Sequence, residues 1–349
     1  MTRSLPFALA LIIPVMSGLA VVFGGWFLAL PPAFLFVLTP ALDALLGKDP
    51  GDFNEAAADR WRDLRYDIWL WLWIPAQLTI QAGALWVAAH STEPVTLVGL
   101  VVASGLLGLV GVNVAHEFMH RKGKPERAFA EVMMLSVGYP HFCVEHVLGH
   151  HRHVGTPLDA GTAKKGEILF PFIARSILGG LRSSWALEGD RVRKLSIPLG
   201  LRDRRVRYPL VLALLSTAIL LGLGPVACAV FAGQCALAIV LLETINYLEH
   251  YGLSRRLLDG GPEGLRYERV RPVHSWSSSH RLTGYYLFLL PRHADHHAQA
   301  SRPYFALRHI KDSPQLPAGY ATMLLCAFVP WLWRRVMDPR VDAWNNATG

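Results

Sequence analysis

The sequence predicts an all-α membrane protein, with six transmembrane helices and a helical, histidine-rich region gathered on one membrane face. Three observations point there. Hydrophobic residues make up 52% of the chain and charged ones 17%, at a mean hydropathy of +0.30, whereas soluble domains average about 25% charged residues. Six apolar stretches approach the ~20 residues a helix needs to cross a bilayer. Nine of the 15 histidines fall in four short segments. The 349 residues then form a single membrane-embedded domain.

Residues 5–47 are almost uncharged and too long for one crossing, so two helices are expected, about 6–23 and 27–47, turning near Gly24-Gly25. Pro14, Pro31, Pro32 and Pro40 should kink them, which a surrounding bundle tolerates. Asp43, near the second end, is either a functional acid or a solvated helix terminus. Arg3 is a thin basic start and no A-x-A site follows, so the first span should stay as an anchor.

After a polar segment at 48–66, Trp61, Trp69, Trp71 and Trp73 read as an aromatic belt opening a third span, about 67–89. A fourth, about 95–115, runs into the first histidine pair. The fifth and sixth, about 208–223 and 225–246, part at Gly222-Leu-Gly-Pro225. Tyr320–Trp333 is apolar but short, which suggests an interfacial or re-entrant helix. Of Cys143, Cys228, Cys235 and Cys326, three lie in apolar stretches and none forms a CxxC pair, so buried thiols are expected.

Charge then orients the bundle. The turns near residues 24, 90 and 224 hold no Lys or Arg, while Arg121 to Arg207 holds 16 of the 34 basic residues. The positive-inside rule places that segment, the 48–66 loop and residues 251–349 in the cytoplasm. All the histidine segments fall on that same side, which argues for one shared site.

Clustered histidine seldom has a packing reason, and neutral imidazole is a common metal ligand. His116 and His120 are four apart on a helix leaving the membrane, so both rings point one way. His146 and His150 repeat the spacing with His151 beside them; His293 and His296 are three apart, followed by His297. With His250 these nine are too many for one tetrahedral zinc but suit two metals. Glu117, Glu145, Glu249, Asp295 and Asp159 are candidates to take the second N–H of a metal-bound imidazole and fix its tautomer, against the plainer reading of surface charges. His141, His153, His274 and His280 read as ordinary polar contacts, and His90 and His309 as surface residues.

One short pattern points elsewhere. His116-Glu-Phe-Met-His120 is also H-E-x-x-H, the zinc-protease signature, and Leu258-Asp259-Gly260 offers a third ligand. Such a site leaves the other seven clustered histidines idle, and Asp259 lies in a polar run rather than in a span. The di-metal reading therefore prevails.

His116-Glu-Phe-Met-His120, Glu145-His146-Val-Leu-Gly-His150-His151, Asn246-Tyr-Leu-Glu-His250 and Arg292-His293-Ala-Asp-His296-His297 resemble the boxes of the integral-membrane alkane 1-monooxygenases. His274-Ser-Trp-Ser-Ser-Ser-His280 and Val336-Met-Asp-Pro339 match that family's later stretches. The second box, H-x-x-x-H-H, differs from the H-x-x-H-H of fatty-acid desaturases; Phe118-Met119, Arg121, Arg152-His153, Gly155 and Pro291 depart from the commoner residues without removing a box histidine. The resemblance implies six spans in the bacterial inner membrane and two iron ions held by the nine box histidines. It also implies O₂-dependent terminal hydroxylation, with electrons from NAD(P)H through a reductase and a separate rubredoxin. Arg121, Lys122, Lys124 and Arg127 offer that acidic donor a basic dock, with Arg202, Arg204, Arg205 and Arg207 as a second cluster. A methyl-arene (xylene-type) hydroxylase, a desaturase and a non-catalytic metal-binding membrane protein are the rivals.

Overall fold

The computed structural model describes residues 4–52, 63–261 and 264–348. Trp61 and Arg3 lie outside them. Among the described residues, six helices are long and apolar enough to cross a membrane. They are α1 (Leu5–Phe23), α2 (Gly25–Leu46), α3 (Leu64–Ala89), α4 (Pro94–Met119), α8 (Arg204–Leu223) and α9 (Pro225–His250).

The turns closing α1 and α8 are glycine turns for a physical reason. Gly24 and Gly224 end their helices at φ 60° and 87°, a conformation that a Cβ disfavours. Within α2, Pro31 and Pro32 remove backbone donors, and the helix slips into a wider π turn over Phe34–Leu38.

The spans differ in depth. About 61% of α4's apolar window is buried against 11% for α8, so α4 is the axis and α8 the rim. Glycines let neighbours reach α4: a Cβ on Gly105 would lie 2.8 Å from Leu237, and one on Gly111 would overlap the Gln77 amide. Both α4 and α9 run past their expected ends, to Met119 and His250, so the first box and His250 ride on rigid helix rather than on loops.

Between the spans come α5 (Lys124–Ser136), α6 (residues 142–153) and the long α7 (Leu169–Lys194). The middle of α6, Glu145–His150, is π-helical. After α9 the chain forms a two-stranded antiparallel hairpin, β1 (Leu257–Gly261) with β2 (Gly264–Tyr267). It is a small departure from the all-α expectation. Its glycine-rich tip is a turn signal that the reading of this stretch as a polar run passed over. Then follow α10 (Arg281–Tyr286), α11 (His293–Ala298), α12 (Tyr320–Ala327) and α13 (Pro330–Thr348).

Several expectations change here. The late apolar run is not one interfacial helix: it breaks before Pro330, α12 packs on α9, and fully buried Trp333 lies tilted against Tyr247 and edge-on to Tyr251. The tryptophans opening α3 are not a belt. Trp73 is buried and donates to Gln77, and Trp71 packs on Phe118 and Phe129. Asp43 is buried and accepts from the backbone N–H (3.1 Å) and hydroxyl of Thr283, so it clamps the start of α10 to the end of α2. Of the four thiols only Cys235 is fully buried.

Candidate metal centre

The end of α4, the π turn of α6, the last residue of α9 and the short α11 converge. They bring all nine box histidines together in two adjacent groups. His116, His120, His146, His151 and His296 form one, and His150, His250, His293 and His297 the other; within each, ring nitrogens all lie within 4.8 Å of one another.

The partition follows local winding. In an α-helix residues four apart share a face, but a π turn shifts that register toward five. Accordingly His146 faces His151, Nε2 to Nε2 at 3.0 Å, and His150 turns to the other group, its ring 4.8 Å from His250. The expected pairing of His146 with His150 is therefore replaced. In α11 the four-apart pair is His293 and His297, while His296 lies 3.1 Å from His151.

The donor chemistry fits metal ions. Nε2 of His116, His150 and His297 is buried without a partner among the described residues, an expense that folded proteins rarely leave uncompensated. Other nitrogens face each other across the group centres, as His120 and His146 do at 3.2 Å. Burial lowers the pKa of His120 to about 4 and those of His146, His151, His296 and His297 well below the usual range. These rings are therefore neutral at pH 7, the form that binds metal.

The five flanking acids divide. Asp159 Oδ2 lies 3.0 Å from Nδ1 of His150 and also accepts from Thr162, which leaves His150 Nε2 aimed into its group. Burial opposes its ionisation, yet His150 and Thr162 hold its carboxyl at about 2. Glu249 Oε2 lies 3.2 Å from Nε2 of His293, the nitrogen that also faces His250, and its other oxygen takes the Tyr320 hydroxyl at 2.9 Å. Glu145 lines a small polar cavity with His150 and Asp159, where burial pushes its carboxyl up to about 7. Glu117 and Asp295 turn away from imidazole. Glu117 pairs with Arg121 at 3.2 Å, and Asp295 with Arg302 and Arg308 at 3.0 and 2.9 Å.

The remaining histidines stay out of both groups. His274 meets Glu268, His280 meets Ser278, His309 meets Ser279, and His90 meets the Trp86 carbonyl. His153 is half-buried, and His141 is half-buried against the Tyr139 ring.

Sequence reasoning missed two features. Glu243, inside α9, is buried and binds Tyr139, Ser176 and Asn246; a carboxylate within an apolar span was the available signal. An apolar pocket of about 550 Å³ lies between α2, α4, α9 and α12, lined by Leu35, Phe36, Leu109, Ile245 and Leu324. Three polar side chains line it, Asn113 one turn before His116, Tyr286, and Tyr320 on Glu249. Apolar walls with a few placed polar groups are the usual character of a small-molecule site.

Residues 92–326 match the family model described as fatty acid desaturase. The chain is 39% identical over 316 residues to alkane 1-monooxygenase 2 of Pseudomonas aeruginosa, covering 89% of this chain and 83% of that protein. It is 37% identical over 333 residues to alkane 1-monooxygenase 2 of Alcanivorax borkumensis, covering 91% and 83%. The xylene/toluene monooxygenase hydroxylase component of Pseudomonas putida is more distant, 25% identical over 346 residues, covering 96% and 89%.

Proposed function

The chain belongs to the alkane 1-monooxygenase family, and on that premise we propose that it converts an alkane to the 1-alkanol at two iron ions. The overall change is RH + O₂ + 2e⁻ + 2H⁺ → ROH + H₂O. One observation carries the assignment of the site: nine imidazoles in a five and a four, with no thiolate among them, beside an apolar pocket. Imidazole suits iron, and O₂ activation needs a redox-active metal, which zinc is not.

Two irons held by the five and the four histidines would supply the O₂ activation. The chain's own residues do the rest. Asp159 fixes the ring of His150 through Nδ1, while Glu249, held by Tyr320, stands against Nε2 of His293 at the edge of the four-histidine group. Leu35, Phe36, Leu109 and Leu324 hold the alkane and exclude water, each buried CH₂ contributing about 0.8 kcal/mol. Asn113 is tied to the Leu287 carbonyl at 2.6 Å, which holds α4 to the segment before the last box, Arg292–His297, and keeps the pocket in register with the site.

Electrons come from a separate rubredoxin and its NAD(P)H-dependent reductase, on the cytoplasmic side of the bacterial inner membrane, where the positive-inside rule puts the histidine boxes. Exposed Lys122, Lys124 and Arg127 offer the dock. Arg121 does not join them, being half-buried and paired with Asp67 (2.7 Å) and Glu117.

Metal analysis and product analysis test the reading together. Purified protein should carry two irons per chain, and membranes supplied with rubredoxin, reductase and ¹⁸O₂ should give labelled 1-alkanol. A single zinc, an unlabelled alkene, or turnover of methyl-arenes with alkanes untouched would each overturn it.

A further inference from the structure

We propose that the groove between α7 and α8 binds an anionic glycerophospholipid. The inference is independent of the iron chemistry. Helix α7 is not among the helices apolar enough to span, yet it leaves an apolar stripe exposed. Phe172, Ile173, Ser176, Gly180 and Ser184 face the protein, while Phe170, Leu178, Leu181 and Trp185 are exposed. A long amphipathic helix with exposed Leu and Trp and flanking Arg has the make-up of one lying in the membrane interface.

The open groove beside it is walled by Leu181, Trp185, Tyr208, Pro209 and Leu212. It runs on into the lipid-facing side of α8, where Leu210, Leu214 and Leu221 are exposed, so an acyl chain can enter without crossing water. Its other end opens onto a shelf of Arg182, Arg193 and Arg205 with Asp190. Arg193 pairs with Asp190, and Arg205 with Asp203 at 2.7 Å. Among the described residues Arg182 has no hydrogen-bond or ion-pair partner, and it is exposed. An apolar channel ending in a spare cation matches a lipid with a net negative headgroup.

The floor of the groove includes His141 and Val144, directly before the second histidine box, and α7 packs on the π turn that carries it. A lipid seated there would brace the element that divides His146 from His150.

The test uses full-length protein, delipidated in detergent and titrated with phosphatidylglycerol or phosphatidylcholine under native mass spectrometry. Phosphatidylglycerol should be retained preferentially. Arg182→Gln with Arg193→Gln should weaken it roughly 25-fold, about fivefold per charge near a membrane surface. Asp190→Asn should tighten it, which separates lost charge from lost folding. Brominated phosphatidylglycerol should quench the wild type more than Trp185→Phe. Equal retention of both lipids, an unaffected double variant, or a dimer in which Trp185 is shielded from brominated lipid would each overturn the proposal.

Discussion

The five-histidine and four-histidine groups use the same side chain in different surroundings. His120 and His151 leave the first group half-exposed at one edge, whereas all four members of the second are buried. The second is also the one held by carboxylates, Asp159 on His150 and Glu249 on His293, and Tyr320 joins it to the apolar pocket. The first has more imidazoles and no comparable acid among the described residues. A buried, carboxylate-oriented set is stiff before any ion arrives, while an open set relies on ligand number. On the proposed function, the open edge suits exchange with water and approach of an electron donor. The sealed side suits C–H chemistry that must stay dry.

The largest effects should come from removing one ligand from either side. His150→Ala and His296→Ala should each abolish hydroxylation and remove about one of two irons while the protein still inserts in the membrane. Iron quantified in both variants checks this; an active His296→Ala enzyme would take that residue out of the site and undo the pairing.

A smaller change addresses the carboxylates. Asp159→Asn should weaken iron binding at the four-histidine group about 10- to 100-fold. Glu117→Gln should leave metal affinity within about twofold on the same premise, because Glu117 serves Arg121. Competition with a chelator reads both, and equal losses would show that the two acids do not differ in role.

Acid should act through the imidazoles. In metal-free protein the lowered pKa values mean that the unfolded chain takes up protons before the folded one does. Stability should therefore fall as pH drops from about 6.5, the ordinary histidine value, toward the value of about 4 held by His120. Thermal melts of the metal-free protein across that window test the sign; a flat profile would mean the clusters are wetter than they look.

The smallest effect concerns the open edge. Complementary charge mainly speeds encounter and is screened within about 8–10 Å at physiological salt. Lys122→Gln with Lys124→Gln should raise the apparent rubredoxin requirement a few-fold and leave the alkane KM unchanged. Turnover at limiting rubredoxin that ignores both salt and the double variant would place the dock elsewhere.

By itself the sequence determined the six helices and the nine histidines, because both are local properties. Hydropathy over ~20 residues reports whether a helix can cross lipid, and box spacing needs no knowledge of distant chain. Only the tertiary structure decided which histidine joins which group. His150 leaves His146 because the helix widens at Glu145–His150, and composition does not encode that register. The tertiary structure also decided the roles of like residues. Asp159 reaches an imidazole and Asp295 reaches two arginines, although both stand near box histidines in the chain. Arg121 looked like a surface cation until Asp67, 54 residues away, came to lie beside it. A side chain's partners are set by the elements packed around it, and those meet only when the helices do.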